Sequence, residues 1–529
     1  MWKRQGVLNN SRVYASITIR GRASVASRAV IAMSRTVIGF RRHLPHSSPP
    51  MKLFDRMPPA QSWRLIAAAA SLLTAACIHI PPSRELVAYE PAGAILFHDV
   101  SVFAATSNES LAHQDVWVRD GRIASLGPTQ PLAAAVGVRV VEGAGKTLLP
   151  GLIDVHTHPT GSGAPFYRME LPDEPRNLQA HLYVGVTTID VAGGDPDKLR
   201  DLSRDVESGK IPGPRMFYAG RIISQKDGYP ADMVKKLLPF PISTMATNQF
   251  TAQITTPEEG RAAVRDNISK GTAFAKVAVT ELPDTAPRLD AAELAAIVDE
   301  AHQHHQKVVA HVDSASDALL CARTGVDALW HDVQLDKLDP AQVAEIAAHI
   351  HTVAPTLSTF DAFDGLTDGT IAPSALLRQT ESPGLVQSLI DAPKHIHEIP
   401  PELGAWMARL HANHAGRRAN VKALHDAGVT ILVGTDANGS DGSVPASIHE
   451  ELVALHEAGL ENSEVLLGAT ARAARFLDAN ADYGTIEPGK VADLLLVDGD
   501  PLADIHATAQ IALVVSRGRV VKRLPGFAQ

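Results

Sequence analysis

The sequence predicts an α/β protein, a (β/α)8 TIM barrel inserted in a small β-sandwich built from both chain ends. Three observations predict it. Eight short apolar runs alternate with amphipathic helical segments through the middle of the chain. Both flanks have a different, period-two texture broken by Gly-centred turns. Ionisable residues recur at the ends of the apolar runs, where a parallel barrel gathers its active groups.

The flanks come first. "AILFHDVSVFAAT", "QDVWVRDGRIASLGP" and "GVRVVEGAGKTLLPG" alternate apolar and polar residues, and the same texture returns in "GTIEPGKVADLLLVDGDP" and "IALVVSRGRVVKR". The simplest arrangement is one composite β-sandwich over 81–147 and 480–529, with the barrel inserted over 148–479. The eight runs are 148–158, 186–192, 215–223, 273–279, 307–312, 328–333, 351–357 and 430–437. Between them lie helical patterns such as "AAELAAIVDEAHQHH", whose Leu294, Ile297, Val298 and Ala301 share a face. A doubly wound open sheet is the alternative, but no Gly-rich phosphate fingerprint follows a strand. The joint between the seventh and eighth runs is about seventy residues long, well beyond a usual connection, so a lid or subdomain is expected there.

The chain before Asp55 has no Asp or Glu and carries nine Lys or Arg before residue 51, so 1–50 reads as a non-structural extension. Lys52, Arg56 and Arg64 precede "LIAAAASLLTAA", which makes 51–80 a secretory or lipoprotein signal, too short to span a bilayer. Translation from Met1 or from Met51 stays open. The expectation is export, to the periplasm or with a lipid anchor to the cell envelope at Cys77, although Thr74 stands where a lipobox prefers Leu. Two cysteines, Cys77 and Cys321, exclude a disulfide framework and a thiolate zinc cluster. A net charge of -9 without a basic tract excludes nucleic acid as a partner. A small-molecule substrate is expected, and homo-oligomerisation stays open.

"GLIDVHTHPT" places His156 and His158 at the end of the first run, where period-two alternation points both rings to one side. The chain has 23 His, and the same spacing recurs at His302/His304, His349/His351 and His395/His397, so spacing alone decides nothing. Position decides. The fourth run, "AFAKVAV", carries Lys276; the fifth, "KVVAHVD", His311; the sixth, "ALWHDV", His331; the eighth, "ILVGTDA", Asp436. The other three His pairs lie at a helix end, around the start of the seventh run, and in the long joint. Burying six ionisable groups unpaired is costly, and a metal centre removes the cost. Imidazoles plus a carboxylate suit a borderline divalent ion such as zinc, one or two of them. Lys276 fits only if its amine is neutralised and altered.

The set His156-x-His158, Lys276, His311, His331 and Asp436 resembles the amidohydrolase superfamily in its binuclear form with a carboxylated lysine. "TLLPGLIDVHTH", "GVTTIDVAGG", "VGTDA", "HEELVALHEAGL" and "GTIEPGKVADLLLVDGDPL" are similar to the imidazolonepropionase-like, prolidase-type branch. The resemblance covers nearly everything from about residue 90 onward. It implies two divalent metal ions, zinc above all: His156, His158 and Asp436 on the inner, His311 and His331 on the outer, and Lys276, carboxylated by CO2, bridging both. It implies a metal-bridging hydroxide as nucleophile and Asp436 as general base and then acid. Imidazolonepropionase itself looks like a one-metal enzyme, so Lys276 argues against that exact activity.

The reaction so implied is hydrolysis of a C–N bond, an amide or peptide bond in a small dipeptide-like or N-acyl amino acid substrate. The same site in a lactonase, esterase or phosphotriesterase is the first alternative, a non-catalytic barrel protein the second, and a one-metal deaminase the third. Tyr229, in "GRIISQKDGYP", is a candidate substrate contact after the third run, with simple packing as its ordinary role. Many relatives carry a Gly-Gly-His-like stretch where this chain has Asp227-Gly228-Tyr229. Arg221 and Arg168 are candidates for a substrate carboxylate, and His449 for support of the barrel mouth; a solvated Arg and a helix-start His are their ordinary readings.

Overall fold

A computed structural model of the chain describes residues 84–131, 137–439 and 442–527. The basic extension and the signal sequence with Cys77 lie outside the described residues. Among those described, no helix is long and apolar enough to cross a membrane.

Six strands open the chain: β1 (Val87–Tyr89), β2 (Ala94–Val102), β3 (Leu111–Arg119), β4 (Arg122–Pro128), β5 (Val138–Glu142) and β6 (Lys146–Pro150). Asp120 and Gly121, at φ 50° and 80°, form the tight turn of the β3–β4 hairpin, whose Arg119 faces Arg122. Two consecutive positive φ values give a turn whose twist matches the strands, which is why Asp-Gly serves there.

The middle of the chain supplies ten strands that pair only in parallel: β7 (Leu152–Thr157), β8 (Val186–Val191), β9 (Arg215–Tyr218), β10 (Ile222–Gln225), β11 (Thr251–Ile254), β12 (Ala275–Ala278), β13 (Val308–His311), β14 (Ala328–Trp330), β15 (Thr352–Ala354) and β16 (Thr430–Ile431). They form a three-stranded sheet, β7-β8-β9, and a seven-stranded sheet, β11-β10-β12-β13-β14-β15-β16. Backbone hydrogen bonds continue past both ends of the short sheet. Val155 N–H donates to Val433 O at 3.0 Å and His158 N–H to Ala437 O at 2.7 Å, while Ala273 N–H donates to Tyr218 O at 2.9 Å. With helices following most strands, this is a TIM-barrel-like α/β arrangement.

Three departures from the expected runs have local causes. The first run divides at Gly151, because β6 pairs with β17 (Leu494–Asp498) in the flanking sheet while Leu152 N–H turns to Gly185 O. The third divides into β9 and β10, because the Asn267 side chain accepts from Arg221 N–H at 3.2 Å and donates to Arg221 O at 2.9 Å, in place of a strand neighbour. β11 lies in a stretch that the period-two reading passed over. The long joint after β15 is helical: five α-helices and a 3-10 segment between Leu357 and Asp426, whose Phe360, Phe363, Trp406, Met407 and Leu410 share one buried cluster with Leu282. The expected helix face at Leu294, Ile297, Val298 and Ala301 is buried, and a capping box between Asp290 and Glu293 opens that helix.

β17, β18 (Ile511–Ser516) and β19 (Arg519–Arg523) return to the first six strands, and the nine form one mixed sheet in the order β1-β19-β18-β17-β6-β2-β3-β4, with β5 on β2. A second tight turn, Arg517-Gly518 at φ 52° and 71°, joins β18 to β19. It packs on the first: a Cβ at Gly518 would lie 2.2 Å from Gly121 Cα. Two glycines more than three hundred residues apart thus meet backbone to backbone.

Candidate metal centre

The ligand candidates come from the end of β7 and the residue after it, from within β12, from the end of β13, and from the residues after β14 and β16. His156 Nε2 lies 3.3 Å and His158 Nε2 3.0 Å from Asp436 Oδ1. The three ligand atoms lie within 4.8 Å of one another. The His331 ring centroid is 4.7 Å from that of His156, and His311 is 4.4 Å from His331, edge to face. His156, Lys276, His311 and His331 are all buried.

Lys276 sits in β12 opposite Val309, and its Nζ has no hydrogen-bond partner among the described residues. Burial pulls its amine down to about 7, against the pull of the Asp436 and Asp190 carboxylates. Burial also drives His156 and His331 well below the usual imidazole value, helped by the Lys276 charge and by neighbouring imidazoles. Neutral imidazoles keep a lone pair for a cation, and the uncharged amine is the form that can react with CO2.

The chemistry of this donor set fits divalent ions. His311 Nε2 and Lys276 Nζ are buried without a hydrogen bond among the described residues. Such orphaned polar atoms cost about 1–3 kcal/mol each unless something else engages them. Asp313 Oδ2 lies 3.6 Å from His311 Nε2, and that carboxylate accepts from Thr280 Oγ1 at 2.7 Å.

Several supporting residues carried no signal in the sequence reading. Asp154, two residues before His156, accepts from His156 N–H and Thr435 N–H at 3.1 Å each and from Thr435 Oγ1 at 2.6 Å. Burial raises its carboxyl to about 7 against those bonds. Asp190 in β8 is buried, its carboxylate oxygens lack hydrogen bonds among the described residues, and burial holds it well above the carboxylate range. Thr356, buried after β15, places its Oγ1 2.6 Å from His331 Nδ1. Period-two counting from the HxH pair reaches Asp154; nothing in spacing singles out Asp190 or Thr356. His331, Thr356 and Asp436 all have positive φ, at 83°, 53° and 54°, a conformation uncommon for non-glycine residues.

Tyr229 stands at the same mouth, its ring 4.5 Å from that of His311. Arg168 is engaged by Glu170 and the Gly384 carbonyl, and Arg221 lies 3.8 Å from Asp266. His449 is buried between Thr508 Oγ1 and the Val184 carbonyl. The other His pairs have ordinary partners: His302 meets Asp327, His349 the Glu345 carbonyl, and His395 stacks on Tyr167 and meets Glu398.

A family model described as the amidohydrolase family matches residues 147–521. An uncharacterized protein of Mycobacterium tuberculosis is 26% identical over 408 residues, 76% of this chain and 91% of the relative. Imidazolonepropionase of a Geobacillus species is 23% identical over 426 residues, 77% of this chain and 89% of that enzyme. Among solved structures, a prolidase complexed with N-methylphosphonate-L-proline is similar at a TM-score of 0.65 and 27% identity, covering 82% of this chain and all of that one.

Proposed function

The chain belongs to the amidohydrolase family, and on that premise we propose that it cleaves a C–N bond in a small dipeptide-like or N-acyl amino acid substrate at a two-metal centre. That it is a hydrolase acting on C–N bonds follows from the family and its imidazolonepropionase and prolidase relatives. The prolidase similarity, at 27% identity, supports the dipeptide-like substrate. The observation that carries the metal reading is the convergence of His156, His158 and Asp436 next to His331, His311 and a Lys276 whose Nζ has no hydrogen-bond partner among the described residues.

In this reading His156, His158 and Asp436 would hold one ion, His311 and His331 the other, and carboxylated Lys276 would join the two. Bound divalent ions, zinc by the nature of the donors, supply Lewis acidity and bring the pKa of water toward neutrality. The residues do the rest. Burial keeps His156 and His331 neutral, so they donate lone pairs rather than repel a cation. Asp436 accepts the proton of the attacking water on a carboxylate oxygen and delivers it to the leaving nitrogen. Its backbone N–H is fixed to His156 O at 2.7 Å, which holds the carboxylate over the HxH pair. Tyr229, against His311, is the proposed substrate contact.

The finer architecture belongs to the same proposal. The bonds on both sides of β7-β8-β9 support a closed (β/α)8 barrel over 148–479, and the buried cluster of Phe97, Val116, Leu148, Leu494 and Val515 supports a sandwich-like fold of the sheet from both chain ends. Export through 51–80 is likewise proposed, and the mass of the mature protein tests it.

The experiment is hydrolysis of a dipeptide and N-acyl amino acid library by protein reconstituted with zinc in bicarbonate buffer. Amide cleavage that Asp436→Asn lowers by about 10²–10⁴-fold supports the reading. Cleavage confined to lactones, esters or phosphotriesters replaces the substrate class, and one ion per chain with deamination overturns the two-metal site.

A further inference from the structure

His331 and Thr356 lie at the ends of adjacent strands, β14 and β15, and each leaves its strand through a left-handed backbone turn. For a β-branched residue such as Thr this conformation is a genuine outlier, held only where the surroundings over-determine it. The structure does so with a two-bond chain: Thr356 Oγ1 lies 2.7 Å from the Pro355 carbonyl oxygen and 2.6 Å from His331 Nδ1. A hydroxyl has one hydrogen. If that hydrogen points at His331, two oxygen lone pairs face each other at 2.7 Å across Thr356 and Pro355. If it points at Pro355 O, both contacts become hydrogen bonds, with Nδ1–H as donor to Oγ1.

We infer that Thr356 is a positioning residue for the metal centre: its hydroxyl fixes His331 as the Nδ1–H tautomer and leaves the Nε2 lone pair as the ligand atom. The inference rests on the metal-centre reading above and goes beyond it by naming the group that selects the ligating nitrogen. A ring flip of His331 exchanges the two nitrogens, and its backbone bond, His331 N–H to Ala354 O at 3.0 Å, does not distinguish them. The edge of Phe360, 5.4 Å away, presents no polar atom that could. Among the described residues only Thr356 supplies an acceptor to Nδ1, and its acceptor character is set by Pro355. Partners of this kind to metal-bound histidines fix tautomer and orientation, and losing one typically lowers metal affinity about 10–100-fold.

The test compares wild type with Thr356→Val, which keeps the shape and loses the hydroxyl, and Thr356→Ser, which keeps the hydroxyl. Thr356→Gly is the control for folding, since glycine holds positive φ without strain. Zinc affinity is measured by competition with a chromophoric chelator, and the His331 tautomer by long-range 1H–15N NMR of the metal-free, 15N-histidine-labelled protein. The expected result is a 10–100-fold weaker second zinc in Thr356→Val and Thr356→Gly, affinity within about threefold in Thr356→Ser, and an Nδ1–H signal that Thr356→Val loses. Wild-type zinc affinity in both Thr356→Val and Thr356→Gly, or an Nε2–H His331 in the wild type, overturns the inference. A wild type that binds fewer than two zinc ions overturns the two-metal reading instead, and the NMR measurement still decides the role of Thr356.

Discussion

Thr435 and Asp154 tie the stretch after β16 to β7 next to the HxH pair, with Thr435 Oγ1 donating to Asp154 Oδ2 at 2.6 Å and Thr435 N–H to Oδ1 at 3.1 Å. The clasp joins the two ligand-bearing segments, since Asp154 is two residues before His156 and Thr435 one residue before Asp436. Thr435→Val removes one donor from a fully buried carboxyl, which costs about 1–3 kcal/mol. Urea unfolding of the metal-free protein checks this, and a midpoint equal to wild type refutes it.

Lys276 is expected to make metal uptake depend on dissolved CO2. With its amine near 7, a large fraction is uncharged at pH 7.5 and open to carboxylation. Zinc added to metal-free protein in degassed buffer is predicted to restore activity more slowly than in bicarbonate. Lys276→Gln should bind less zinc with or without bicarbonate. Equal recovery in both buffers removes the carbamate from the site.

His181 predicts part of the acid sensitivity. It is fully buried, its Nδ1 lies 2.8 Å from the Asn177 carbonyl, and burial lowers it to about 4 from 6.5. The unfolded chain therefore binds this proton first as pH falls. Its contribution to stability is intact above about 6.5 and is lost progressively between 6.5 and about 4. Between pH 7.5 and 5 that amounts to about 2 kcal/mol. His181→Gln lacks the titration, so its stability deficit against wild type should narrow by that amount over the same range, read from urea midpoints.

Gly518→Ala tests the contact between the two hairpin turns. Its Cβ would meet Gly121 Cα at 2.2 Å, and φ at 518 is positive. Backbone has to move, and a loss of more than about 2 kcal/mol is expected from strain of this kind. Ala at Gly209, also at positive φ but with nothing within 4 Å, should cost about 1 kcal/mol. Equal thermal shifts for the two variants would show that the turns do not need their close approach.

The strand ends were legible because the strands of this TIM-barrel-like arrangement are short, buried on both faces and therefore apolar, so an ionisable residue in one stands out. That is how His156, His158, Lys276, His311, His331 and Asp436 could be read together. The same logic hides residues that act through neighbours. Thr356 is a small hydroxyl residue near the end of the seventh run, and its role depends on a positive φ and on the strand beside it. Asp190, near the end of the second run, meets the same criterion, but a lone carboxylate there also reads as a cap of the helix that follows. The divisions at Gly151 and at Arg221 escaped because both follow from partners distant in sequence, β17 and Asn267.

The sheet assembled from both chain ends has a consequence in time. β6 finds its neighbour β17 only after the whole intervening stretch has been made, on the order of half a minute at about 5–20 residues per second. Until then β6 offers a bare edge, and bare edges recruit other strands. A chain released early keeps every metal-ligand candidate through Asp436 yet lacks the strands that close this sheet, so ribosomal stalling late in the message is expected to yield insoluble protein rather than a weaker enzyme.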